Sequence, residues 1–425
     1  MLFRRARPFT QNAGCKMRIF QGVTGQAGQP GAIAKGLRAL GAVADAGSIA
    51  KHKFGYEADF HISLDKPKSL ERLFASVNAL AANYDVFHFH ARTLANNWPH
   101  QVYPAMLDLL ALKERGRKVF LHYRGQEIRT AAEFAKTPYH YVSTPGSRHL
   151  FRQMPDQSKL AGLDYIRSVA DGIFVTDPEL QTYVPEATVV PRVLHAEEWP
   201  FVGVGSNECP LVVHAPSRRG VKGTEAILRA VERLQKRVNF RFMLIENLPH
   251  EEAKAAYKEA DVVIDQLRIG WYGVLATETM ALGKPTIAYI RDDLWHKHGA
   301  KLPIINANPD NIESVLENVL KDENLRARKS VQSREYFLST HASDVVCKGL
   351  IETYAQTPLK PVDWVGVGRF MDRQSALQSQ RSQEWVGLVR ERAAHLWDHA
   401  REFGPLFTAR LIGDRVLQRL VGTRS

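Results

Sequence analysis

Short runs of consecutive apolar residues alternate along the chain with longer stretches whose apolar positions recur every three or four residues. The short runs suit strands buried on both faces and the longer ones amphipathic helices, which together predict parallel sheets built from βαβ units. Strands are expected at 18–22, 59–63, 85–89, 118–123 and 172–176, and a second series at 211–215, 241–245, 262–266 and 286–290. Between the series, residues 193–210 carry Glu197, Glu198, Pro200 and Pro210 and fit neither period. They are the expected linker between an N-terminal domain, 17–192, and a C-terminal domain, 211–342. The expected fold class is α/β, with two doubly wound Rossmann-like domains facing a cleft. Residues 343–365 are expected to form a helix and tail crossing back to the first domain.

Both ends depart from this alternation. Residues 1–16 hold Arg4, Arg5, Arg7 and Lys16 with no acid, a loose basic arm. Residues 366–425 hold ten arginines and six acids, and Trp385, Leu388, Leu396, Trp397 and Phe403 fall near a helical period. This stretch is expected to be a helical basic extension. Its segment 385–404 is a candidate for peripheral membrane contact or self-association.

Composition narrows the class. The 425 residues are 44% hydrophobic and 24% charged, which excludes a disordered or collagen-like chain. No apolar run approaches the roughly 18 residues of a membrane span. Cys15, Cys209 and Cys347 are too few and too scattered for a disulfide framework or a zinc site, so a reducing, cytoplasmic setting is expected. The 57 basic against 45 acidic side chains leave +12, which favours anionic partners without choosing among them.

Several chemistries lack their residues. There is no Gly-x4-Gly-Lys-Ser/Thr, and Gly25, Gly28 and Gly31 have the wrong spacing for the dinucleotide fingerprint. There is no His-Glu-x2-His, no Asp-x-Asp and no apparent His cluster, so neither a protein-held metal nor a cofactor is expected.

Three segments carry candidate chemistry. The turn after the first expected strand holds Gly28 and Gly31 around Pro30, letting a ligand approach backbone and a helix start. After the strand at 211–215 comes Arg218-Arg219-Gly220-Val221-Lys222-Gly223-Thr224, three cations suited to a diphosphate on a loop expected to be exposed. The third segment runs from Gly270 through Gly273 and Val274 to a short helix with Glu278, closed by Gly283 and Pro285. Glu278 could bond a ribose diol, or compensate a helix dipole.

Together these segments resemble the nucleotide-binding half of the large family of retaining, nucleotide-sugar-dependent glycosyltransferases with the GT-B fold. The resemblance rests on Arg219 with Lys222-Gly223-Thr224, and on Glu278-Thr-Met-Ala-Leu-Gly-Lys-Pro285, similar to the family's Glu-Ala-Met-Ala-x-Gly-x-Pro. The N-terminal half matches more loosely, through the glycine turn, His88-Phe-His90, His122-Tyr-Arg124-Gly125 and the run from Ala170 to Pro191. One departure is that Gly270 stands where the family has the first of two glutamates, the one that contacts the donor sugar. Asp265 or Gln266, or backbone amides, are candidates for that contact.

The resemblance implies transfer of a sugar from a nucleotide sugar to a saccharide or lipid-linked acceptor in surface polysaccharide or glycolipid assembly, with no nucleic-acid partner. It places Gly28, Gly31, Arg218, Arg219, Lys222, Asp265, Gly273, Val274 and Glu278 at the donor. Arg219 and Lys222 would stabilise the leaving diphosphate without a metal. His122 would contact the donor sugar or assist proton transfer, unless it is a satisfied core histidine. His90 and Arg124 are candidates for the acceptor; the alternative for Arg124 and Glu127 is a clasp with each other. The alternatives are a nucleotide-sugar epimerase of the same fold and a non-catalytic nucleotide-sugar-binding scaffold.

Overall fold

The computed structural model describes residues 17–24, 26–49, 58–62, 70–95, 105–144 and 148–374. The basic arm, Gly25 and residues 375–425, with Trp385, Trp397 and Phe403, lie outside the described residues.

The first sheet contains β1 (Arg18–Val23), β2 (Val43–Ser48), β3 (Phe60–His61), β4 (Val86–His90), β5 (Lys118–Tyr123), β6 (Gly172–Val175) and β7 (Thr188–Val189). Its order is β3-β2-β1-β4-β5-β6-β7, with every pairing parallel. The second contains β8 (Leu211–His214), β9 (Arg241–Leu244), β10 (Val262–Ile264), β11 (Thr286–Ala288) and β12 (Ile305–Asn306). It runs β12-β11-β10-β8-β9, again parallel. Both sheets are flanked by helices, the expected α/β architecture.

The pattern did not reveal β2, β7 and β12. The sequence of β2, Val-Ala-Asp-Ala-Gly-Ser, has no large apolar run. It becomes a strand because its register beside β1, Ile19 against Ala44 and Gln21 against Ala46, buries its small residues. The other two are only two residues each.

One face of the first sheet buries Ile19, Val86, Phe120 and Phe174 against the helix Gln29–Ala39, through Ile33 and Leu37. It also receives the helix Ser343–Gln356, through Cys347, Leu350 and Tyr354. These helices meet at Gly36, where a Cβ would lie 2.6 Å from the Cys347 sulfur. The helix Ser343–Gln356, which follows the second sheet in the chain, thus completes the core of the N-terminal half. In the second sheet, Val212, Ile264 and Ile287 pack on Ile227, Val231 and Leu316. The opposite face buries Val213, Val263 and Ala288 with Tyr257, Met280 and Leu282.

Where the chain passes between the sheets, Leu194 and Ala342 form an isolated parallel bridge. The Leu194 N–H donates to His341 O at 3.1 Å, and the Ser343 N–H donates to Leu194 O at 3.0 Å. Residues 193–210 are well tied to the fold: Trp199 is buried in the second core, and Lys284 Nζ donates to Gly203 O at 2.5 Å.

Candidate active site in the cleft between the sheets

In open parallel sheets, ligands bind beyond the carboxyl ends of the strands where the strand order reverses. Those points lie between β1 and β4 in the first sheet and between β8 and β10 in the second. The candidate segments follow these strands.

After β1, Gly28 takes a left-handed conformation (φ 67°) and caps the helix Gln29–Ala39, with Pro30 and Gly31 in its first turn. Gln29 turns inward: its Nε2 donates to Val193 O at 3.0 Å and its Oε1 accepts the Val193 N–H at 2.8 Å. The glycine turn is thereby fixed to the segment that leads toward the second sheet.

After β8, the loop is exposed only at 217–219. Arg219 is clasped by Glu246 through two bonds of 2.9 and 2.6 Å, while Arg218 makes no ion pair among the described residues. Lys222 corrects the expectation of an exposed loop. Its ammonium is half-buried, donating to Asp265 Oδ1 at 2.6 Å and Gln266 Oε1 at 2.7 Å. Asp265 is fully buried, and its other oxygen accepts the Gly273 N–H at 2.5 Å. It therefore stands behind Lys222 as its support, with one oxygen on the ammonium and the other on the Gly273 N–H. Gly273 has no room for a side chain: a Cβ would lie 2.8 Å from Asp265 Oδ2 and 3.0 Å from Lys222 Nζ.

The helix Val274–Ala281 starts at this cluster. The N–H groups of Val274, Leu275 and Ala276 belong to its first turn and have no carbonyl one turn back within the helix, the usual source of anion affinity. Glu278 is buried and accepts from His250 Nε2 at 2.8 Å. Burial pushes the Glu278 carboxyl up, and the bond to that carboxylate raises His250 above its usual value. Gly270 sits at φ 95°, with room for a Cβ only 3.1 Å from that of Arg291. The backbone thus disfavours the glutamate that the family carries there.

The expectation that the chain has no histidine cluster is also corrected. His88, His90 and His122 are fully buried, with ligand atoms within 4.8 Å of one another. His88 and His90 alternate onto one face of β4 and stack at 4.3 Å, and His122 lies opposite His90 in the parallel register. Arg124 has no acceptor, yet its Nη2 and Nε reach His90 Nδ1 at 2.5 and 3.1 Å. His90 Nδ1 is therefore the acceptor, and its Nε2–H donates to Gln21 Oε1 at 2.8 Å. The Gln21 amide then donates to Tyr354 Oη at 3.1 Å, leaving the tyrosine proton for His88 Nδ1 at 2.6 Å. His88 Nε2–H donates to His122 Nδ1 at 3.1 Å. His122 Nε2–H donates to Thr176 Oγ1 at 3.1 Å, whose proton faces Tyr123 O at 3.4 Å. This assignment gives each imidazole N–H of the trio an acceptor. Burial, with the Arg124 charge second, holds all three imidazoles well below their usual pKa, so they are neutral. Their lone pairs face Arg124, Tyr354 and His88. A metal would have to displace these donors, so the trio does not fit one.

Both halves line one cavity of about 220 Å³. Ala27, Gln29, Arg124, Thr176 and Arg192 come from the first half and Val274 from the second. Arg192 is held bidentately by Asp177 at 2.5 and 2.9 Å. Sequence reasoning missed Gln21, Gln29, Arg192 and Tyr354. Gln21 left a signal, a polar residue interrupting an otherwise apolar strand. Tyr354 left none, since its partners lie more than 200 residues away.

No protein-family model matches the sequence, and no curated protein matches it. The likeness is in three dimensions. A sucrose-phosphate synthase from Thermosynechococcus elongatus superposes with a TM-score of 0.56 and 14% identity, over 80% of this chain and 99% of that one. A glycosyltransferase from Rickettsia africae gives 0.54 and 14%, over 80% and 98%. Anabaena HepE in complex with UDP and glucose gives 0.51 and 12%, over 80% and 99%. At such identities the likeness is one of architecture: this chain has the two-sheet GT-B fold of these glycosyltransferases.

Proposed function

We propose that the chain is a glycosyltransferase that moves a sugar from a nucleotide-diphosphate sugar to a hydroxyl acceptor with retention, in surface polysaccharide or glycolipid assembly. The observation that carries this reading is a cavity lined from both sheets, with Arg124 and Thr176 on one wall and the start of the helix Val274–Ala281 on the other. A diphosphate would meet the amides of that helix, Lys222 released from Asp265, and the unpaired Arg218. Arg219 would have to leave Glu246, an exposed pair that solvent screens. Glu278 would exchange His250 for the ribose diol. The donor C1–O bond breaks as the acceptor oxygen bonds C1 on the same face, and the acceptor proton passes to the departing phosphate. The cationic loop and helix amides would stabilise that oxygen without a protein-held metal or other cofactor. His122 contributes through its fixed Nε2–H to Thr176, and His90 through Arg124.

HepE, of like fold, is known in complex with UDP and glucose, which makes UDP the first probe. No described helix is long and apolar enough to cross a membrane; a lipid-linked acceptor would be met at the surface. Free nucleotide released from a panel of nucleotide sugars, with a mixed saccharide and lipid-phosphate acceptor extract and excess chelator, tests the reading. Release dependent on acceptor and insensitive to chelator is expected. Binding without turnover on any donor would leave a scaffold, and a changed sugar on an intact nucleotide would make the chain an epimerase.

A further inference from the structure

Arg124 stands at the cavity wall as a cation whose hydrogen-bond partners are all neutral. Its Nε and Nη2 rest on the lone pairs of His90 and His122, and its Nη1 has no partner among the described residues. Among the described residues, no carboxylate forms an ion pair with the guanidinium. The neighbouring cation, Arg192, is already neutralised by Asp177. Glu127, also at the cavity, uses Oε1 to accept the N–H groups of Arg124 and Gly125. Its Oε2 has no bond among the described residues. The wall therefore offers the Arg124 Nη1–H donors to an oxyanion, beside a Glu127 carboxylate oxygen and the Thr176 hydroxyl, both suited to sugar hydroxyls.

In the proposed function, the diphosphate falls to the cations of the loop after β8 and the amides of the helix Val274–Ala281, whose first residue, Val274, lines the cavity. The cavity of about 220 Å³ is smaller than the roughly 300–1,000 Å³ that hold whole drug-sized ligands, so it suits one ring-sized group. We propose that this group is a saccharide unit bearing its own oxyanion, a carboxylate or phosphate separate from the nucleotide diphosphate, anchored by Arg124. Tyr354, Gln21 and the three histidines are positioning residues: their one-way hydrogen-bond chain keeps the His90 Nδ1 lone pair aimed at the guanidinium. The proposal rests on the glycosyltransferase reading only for which molecule delivers the anion, a uronic-acid donor or an anionic acceptor.

Calorimetry on the full chain separates these sources. One arm compares UDP, UDP-glucose and UDP-glucuronate. The other titrates glucose, glucuronate and glucose 6-phosphate, with and without UDP. The expected result is at least a tenfold preference for the anionic member in one arm. Arg124→Gln should erase it and Arg124→Lys retain part of it, with UDP affinity unchanged in both. Tyr354→Phe should weaken the preference without touching UDP, which a loss of folding would not do. Absence of any anionic preference overturns the proposal, as does an Arg124→Gln variant that loses UDP and the anionic ligands equally. If UDP fails to bind while glucose 6-phosphate binds through Arg124, the transferase reading falls and the anion site stands.

Discussion

Lys222→Ala tests whether the diphosphate loop is a solvated appendage or part of the folded core. Lys222 Nζ lies 2.6 Å from Asp265 Oδ1, and the Asp265 side chain is 0% exposed. Removing the ammonium leaves a buried carboxylate with one backbone donor, Gly273 N–H, and no cation in contact with it among the described residues. Breaking a buried pair in this way costs about 3–5 kcal/mol. Lys222→Ala should therefore lower the denaturation midpoint as well as weaken UDP. Two companions separate the effects. Asp265→Asn removes the buried charge and releases Lys222, so UDP affinity should be kept or improved. In Lys222→Ala/Asp265→Asn most of the lost stability should return while UDP affinity stays low. Urea denaturation followed by fluorescence, with calorimetry for UDP, reads both quantities. A Lys222→Ala protein within about 0.5 kcal/mol of the parent, the range of ordinary surface substitutions, would refute the claim that Lys222 compensates Asp265.

Three further outcomes follow from single contacts. Glu179, fully buried, holds Arg129 at 3.0 and 2.6 Å; Glu179→Gln should destabilise by about 3–5 kcal/mol in urea, and a smaller change than 1 kcal/mol would contradict the pairing. His250 is raised above 6.5 by its bond to Glu278, so its stabilising contribution is full below pH 6.5 and fades as pH rises through the higher folded value; His250→Gln should flatten the stability profile above pH 6.5, and identical profiles would count against the bond. Gly270→Glu restores the family's residue at φ 95°, where a side chain costs about 1–3 kcal/mol; lower stability without gain in donor affinity is expected, and a stable, tighter-binding variant would show that the loop accommodates glutamate.

The sequence determined what depends on neighbours along the chain. The period of apolar residues foretold most long strands, because a strand buried on both faces must be apolar wherever it lies. The glycine turn, the Arg218–Lys222 cations and the Glu278 helix were legible as candidate chemistry because glycines and charges at helix starts have local consequences. Tertiary structure decided the state of those groups. Whether Lys222 is a free cation or an ion-pair partner depends on Asp265, 43 residues on. That three histidines on β4 and β5 are neutral and that His90 accepts from Arg124 depends on Tyr354, from a helix near the far end of the chain. The strand β2 depends on burial supplied by β1. Pairing partners and desolvation are properties of residues brought together only by folding, and no periodicity records them.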